Sequence, residues 1–150
     1  RQNMPVDIGC IYWRCSAEPC ISILTPWYCG ITGTPQEYYK AIDVKENLTL
    51  ECHFSESPEK FKPDAGMAWW IFKELQDKVN ADYRSRIGIV RAACDKYEAK
   101  VFADQHGVEN KAMELYRNNK PAARRYLTGY SRAVALGAVH KARELTKQFK

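Results

Sequence analysis

The spacing of apolar positions changes character near residue 64. Before it, short β-branched and aromatic runs dominate. Val6 to Cys15 carries Ile8, Ile11, Tyr12 and Trp13, and Ile21 to Tyr28 carries Ile21, Ile23, Leu24 and Trp27. Such runs favour strands. The turn-forming Ser16-Ala17-Glu18-Pro19 between them predicts an antiparallel hairpin with a four-residue connector. Pro26 confines the second strand to an edge or marks its end. Gly30, Gly33 and Pro35 punctuate the exit, and residues 36–63 lack a sustained period, as expected of a surface connection.

From residue 64 onward the period is helical. Asp64 after Pro63 predicts a capped helix starting at Ala65. Ile71, Leu75, Val79, Tyr83 and Ile87 recur every four residues. Ile87, Val90, Cys94, Tyr97 and Val101 continue at alternating spacings of three and four. This stripe predicts about 37 residues of helix with a bend or break near Gly88, ending at His106-Gly107. A short helix around Asn110 to Arg117 follows. A last helix begins near Pro121, capped by Asn119, and runs to Gln148. Gly129, Ala133 and Gly137 form a small-residue stripe on it, which predicts a closely packed neighbouring backbone. The fold class is therefore α+β: a β-hairpin in residues 1–35, a connection in 36–63, and one or two long helices within 64–150. Two strands alone are marginal in water, so more sheet or helical cover is expected.

At 150 residues the chain has the size of one domain, and its 45% apolar and 27% charged content is that of a globular protein. No apolar stretch reaches the roughly 20 residues of a membrane span. Arg1 is followed by polar and acidic residues rather than the apolar core of a signal peptide. The opening Arg1-Gln2-Asn3-Met4-Pro5 has no initiator Met, as expected of a piece of something longer. The net charge of +5 is unevenly spread: residues 1–110 balance to −3 and residues 111–150 to +8. Because the basic residues alternate with Ala, Leu, Val and Tyr, a solvated amphipathic helix is expected rather than a nucleic-acid or membrane surface.

Candidate chemistry is sparse. Cys10, Cys15, Cys20, Cys29, Cys52 and Cys94 contain no CxxC pair, which removes the usual zinc and thioredoxin-type motifs. Buried thiols are expected for Cys10, Cys15 and Cys20, and a disulfide among the first four requires an oxidising compartment. Arg14, adjacent to Cys15 in a strand, points to the opposite face and does not activate it. Cys52-His53 is the single Cys/His doublet. His106 is expected to cap a helix and His140 to be exposed. Glu56/Glu59 and Asp95/Glu98 read as solvated charge, and Asn47-Leu48-Thr49 is an idle glycosylation triplet. Trp69-Trp70 suits either core packing between hairpin and helix, the expectation adopted here, or a stacking platform. No catalytic residue, metal ligand or cofactor is assigned within the chain, and substrate-binding residues are left unassigned.

Three blocks in order carry a family resemblance. They are Gly9-Cys10-Ile11-Tyr12-Trp13 with Pro19-Cys20-Ile21-Ser22 and Thr25-Pro26-Trp27-Tyr28-Cys29-Gly30-Ile31-Thr32; Met67-Ala68-Trp69-Trp70-Ile71-Phe72; and Tyr126-Leu127-Thr128-Gly129-Tyr130-Ser131. Together they resemble the C-terminal part of bacterial dipeptidases of the dipeptidase A type, in the N-terminal-nucleophile (Ntn) hydrolase superfamily. The resemblance implies an αββα fold. It also implies a mature N-terminal cysteine acting as nucleophile, with its own α-amine as general base. Cys10, inside a predicted strand, offers no free α-amine, so the nucleophile is expected upstream of Arg1 and this segment is expected to be inactive alone. Its partners would be the nucleophile-bearing N-terminal portion, a dipeptide substrate and further copies in a homo-oligomer. A periplasmic or secreted location is preferred to a cytoplasmic one. The alternatives are an Ntn amidase or acyltransferase on bile-salt or penicillin-like amides, a basic helical nucleic-acid-binding module, and a disulfide-stapled secreted domain.

Overall fold

The computed structural model describes residues 4–15, 18–39 and 64–149. The expected connector residues Ser16 and Ala17, the doublet Cys52-His53, the pair Glu56/Glu59 and the triplet Asn47-Leu48-Thr49 lie outside the described residues.

Two short strands, β1 (Cys10–Trp13) and β2 (Thr25–Tyr28), pair antiparallel, with Cys10 opposite Tyr28, Ile11 opposite Trp27, Tyr12 opposite Pro26 and Trp13 opposite Thr25. The strands are shorter than the apolar runs suggest. Val6–Ile8 and Pro19–Ile21 are 3-10 turns instead, so the hairpin is closed by the long segment 14–24 and not by a four-residue connector. That segment is held from below. Glu98 accepts a hydrogen bond from the Leu24 amide (2.8 Å) and pairs with Arg14 (3.1 Å), while Arg14 also donates to the Ser22 carbonyl (3.2 Å) and to that of Pro19.

Cys29 N donates to Gly9 O at 2.8 Å, which fixes the hydrogen-bond parity of the ladder. Antiparallel pairs alternate between bonded and non-bonded, so Ile11/Trp27 and Trp13/Thr25 are the bonded pairs. Pro26 falls in a non-bonded pair, where its missing N–H costs the ladder nothing.

Three helices form the rest: α1 (Ala68–Ala81), α2 (Tyr83–Asn118) and α3 (Lys120–Gln148). The first starts three residues later than the cap predicted, because the Asp64 side chain accepts from Gly66 N (2.8 Å) and closes a turn. The break between α1 and α2 comes at Asp82 and not near Gly88. Asp82 leaves the helical conformation (φ −149°, ψ 68°), Ser85 Oγ bonds its carboxylate, and the Arg86 guanidinium donates to Lys78 O (2.6 Å), satisfying a terminal carbonyl of α1. The four-residue stripe consequently ends at Val79, and Tyr83 is exposed. Helix α2 runs unbroken through Gly107, so the separate short helix expected at Asn110 to Arg117 is its last part. The start of α3 agrees with its signals: Asn119 Oδ1 accepts from Ala122 N (3.0 Å), Pro121 lies in the first turn, and the helix ends at Gln148.

The core has two parts. Ile71, Phe72, Leu75 and Val79 of α1 meet Val90 and Cys94 of α2, Ala138, Ala142 and Leu145 of α3, and Ile21 and Ile23 from the hairpin connection. A second cluster joins Ile8 and Tyr28 to Val108, Ala112 and Leu127. The α+β description holds at this level, with a small hairpin lying on a mainly helical body.

Candidate functional site

Alternation along β1 turns Cys10 and Tyr12 toward the helices and leaves Ile11 (63% exposed) and Trp13 (49%) on the opposite face. Trp27 is cross-strand from Ile11 on that outer face. Tyr38, from the 3-10 turn Gln36–Tyr38, comes up beside them. Its ring meets Trp27 edge-on at 5.3 Å and Trp13 at 6.3 Å. These residues, with Thr34, line an open cleft of about 360 Å³. The cleft is held in shape from behind: Tyr38 Oη donates to Ala135 O (3.1 Å), and Trp27 Nε1 donates to Thr25 Oγ1 (2.9 Å). Burial pushes the Tyr38 phenol far above its ordinary pKa. The volume is at the low end of small-ligand pockets, roughly 300–1,000 Å³. Among the described residues its lining is aromatic and aliphatic apart from the Thr34 and Tyr38 hydroxyls, which suits stacking.

Among the described residues the cysteines form no disulfide and no metal-binding group. Cys10, Cys15, Cys20, Cys29 and Cys94 are free thiols. Burial pushes Cys15 up to about 11 and Cys94 up to about 12. It pushes Cys10 up to about 11, with the nearby Glu109 charge adding to the shift. These three are neutral thiols near pH 7 and poor nucleophiles. His106 sits mid-helix, 3.1 Å from the Asn110 side chain, and caps nothing; the expected helix end there does not exist. His140 is exposed as expected and lies 3.1 Å from Glu144. Among the described residues no group of His, Cys, Asp and Glu could hold a metal ion.

Trp69 and Trp70 pack edge to face at 4.7 Å, but they do not form the core between hairpin and helix. Trp69 is 45% exposed, and the inward positions of α1 belong to Ala68, Ile71 and Phe72. Trp70 borders a second cleft with Lys73, Glu74 and Asp77.

Two ionic clusters escaped sequence reasoning. Asp7, nearly buried, pairs with Arg124 (2.9 Å) and Lys120 (3.2 Å). The Arg124 hydrogen bond, aided by Lys120 and opposed by burial, holds its carboxyl below the usual range. Glu98 is buried and not solvated, in contrast to Asp95. Its position was legible, because it falls between Cys94 and Val101 on the buried stripe of α2. Asp7 gave no such signal, since its partners are more than a hundred residues away in sequence. Of the basic residues in the last helix, Lys120 and Arg124 are thus committed to Asp7, while Arg125 and Arg132 are exposed.

Among the described residues no helix is long and apolar enough to cross a membrane. No protein-family model, curated protein or solved structure matches the chain.

Proposed function

We propose that this chain is the C-terminal segment of an Ntn-type hydrolase that cleaves dipeptides with an N-terminal cysteine outside it. The carrying observation is the one-sided cover of the hairpin. Helices α2 and α3 lie under Cys10, Tyr12 and Tyr28, whereas Ile11, Trp13 and Trp27 face outward around an aromatic cleft. An αββα sandwich supplies a second sheet at that face. The three sequence blocks of the dipeptidase A type support the same reading. In that chemistry the cysteine sulfur attacks the scissile carbonyl and its proton passes to the α-amine; the C–N bond breaks as the leaving amine takes that proton, and water then attacks the thioester, releasing the acid and restoring the thiol. Donors fixed around the developing oxyanion stabilise the intermediate. No described cysteine suits the role, because none carries a free α-amine.

The test is hydrolysis of dipeptides by the product of the native gene, with bile-salt and penicillin-like amides as competing substrates. Turnover of dipeptides that is abolished by alkylating an N-terminal cysteine is expected. Turnover only of acyl-amides would move the protein to the amidase branch, and no turnover of either would end the reading. The nucleic-acid alternative is weakened by Asp7, whose carboxylate pairs with Lys120 and Arg124, two of the helix cations it would use.

A further inference from the structure

Three rings converge on the outer face of the hairpin. Trp13 lies opposite Thr25 and Trp27 opposite Ile11, so the two indoles are diagonal neighbours on one face, roughly 7–8 Å apart. Tyr38 stands against both, its ring at 61° to Trp27 and 62° to Trp13. A planar ligand is held best between parallel walls, and a corner of this kind offers it one wall at a time. A compact, rounded group can touch all three. The polar atoms of two rings are committed within the protein, Tyr38 Oη to Ala135 O and Trp27 Nε1 to Thr25 Oγ1. What these two rings leave for a ligand is π surface, which attracts cations. The charge around the cleft has the matching sign. Burial chiefly raises the Tyr38 phenol, and the neighbouring Glu37 carboxylate adds to the rise, which places negative charge near the ring. An ammonium of the lysine kind holds its water tightly, and an aromatic cleft has little to replace it. A quaternary ammonium carries methyl groups instead of N–H donors and fills apolar space without that loss.

We propose that this cleft binds a small quaternary ammonium compound, with its trimethylammonium group held against Trp13, Trp27 and Tyr38. The volume of about 360 Å³ is enough for an ion of choline size, and the Thr34 hydroxyl in the lining can meet a short polar tail. The inference does not depend on the hydrolase reading. A protein layer whose side chains fill the cleft is the competing occupant, and the test separates the two.

Titration of the native gene product with choline chloride, followed through the indole NMR resonances of its tryptophans, tests this. Sodium chloride at matched ionic strength and the uncharged carbon isostere of choline are the controls. Saturable shifts at Trp13 and Trp27 are expected, with Trp69 and Trp70 unmoved, and the isostere should bind at least ~10-fold more weakly. Trp13→Leu, at a half-exposed position, should weaken choline binding by about 10-fold while the urea midpoint stays close to that of the parent. No saturable shift would overturn the proposal and leave the face to a covering layer. Equal affinity for the isostere would make the cleft a plain apolar pocket and overturn it as well. Shifts centred on Trp69 and Trp70, or full affinity in Trp13→Leu, would place the ion elsewhere, with the same consequence.

Discussion

The hydroxyl of Tyr97 occupies the space where a side chain on Gly137 would begin. Tyr97 crosses from α2 to α3 and donates to Val134 O (2.8 Å), and a Cβ added at Gly137 would overlap that hydroxyl and lie 3.3 Å from the ring carbon bearing it. The ring cannot withdraw without losing the bond. Gly137→Ala is therefore expected to destabilise the fold by about 1–3 kcal/mol in urea denaturation.

Gly129, on the same helix and the same small-residue stripe, gives the opposite expectation. Nothing lies within 4 Å of its added Cβ, and the position is exposed. Gly129→Ala should stabilise by about 0.5–1 kcal/mol, the ordinary helix-propensity difference. Equal losses at both positions would contradict the packing described for Tyr97.

Asp7 predicts acid sensitivity. Its folded pKa lies below the ordinary 3.8, chiefly through Arg124, so folding favours the ionised form. The stabilisation is fully present above 3.8 and is lost as pH falls below it through the folded pKa. Urea midpoints of Asp7→Asn should lie well below those of the parent at pH 7, and the gap should narrow below about pH 4. Gly30 belongs to the same device. Its N–H bonds Asp7 O (2.8 Å), and an added Cβ would stand 2.7 Å from the Asp7 Cβ, so Gly30→Ala should weaken the fold at every pH.

Glu98 ties the long hairpin connection to α2. Glu98→Ala removes the acceptor of the Leu24 amide and the carboxylate of Arg14, which keeps its bonds to the Ser22 and Pro19 carbonyls, and a loss of about 1–3 kcal/mol is expected. Glu98→Gln keeps an acceptor for Leu24 N and should cost less. In the double variant with Arg14→Met the losses should sum to less than the two singles, as they must for groups in one network.

The helical half was legible where one signal acted alone. Asn119 and Pro121 mark the start of α3 correctly because capping is settled within four residues of chain. The break at Asp82 was missed because no Gly or Pro stands there; it depends on Ser85 and Arg86 satisfying the exposed ends. Gly88 and Gly107 misled for the complementary reason. Both have open space around them and sit inside a helix that packing on the other side sustains. In the hairpin, Ile21 carries strand propensity but serves a 3-10 turn, because its burial in the main core decides its backbone; exposed Val6 lies in a similar turn closed by the Ile8 N–Pro5 O and Gly9 N–Val6 O bonds. The aromatic cleft was out of reach, since it needs Tyr38 brought against Trp13 and Trp27 from a segment with no readable period.

The thiols offer a last check, one that also separates an oxidised, stapled domain from the architecture described. Cys29 is exposed, Cys10 and Cys20 are half-buried, and Cys15 and Cys94 are enclosed in the main core with pKa values raised by burial. A thiol-reactive aromatic disulfide at pH 7.5 should therefore label Cys29 within the first, fast phase. Cys15 and Cys94 should respond only at the rate of global unfolding, since attack requires a solvent-accessible thiolate. Adding denaturant should release them in a single cooperative step coincident with loss of helical circular dichroism. Peptide mapping that found any two of these five cysteines joined, or Cys94 labelled as fast as Cys29, would contradict both the free-thiol state and the packing of α2 against α1.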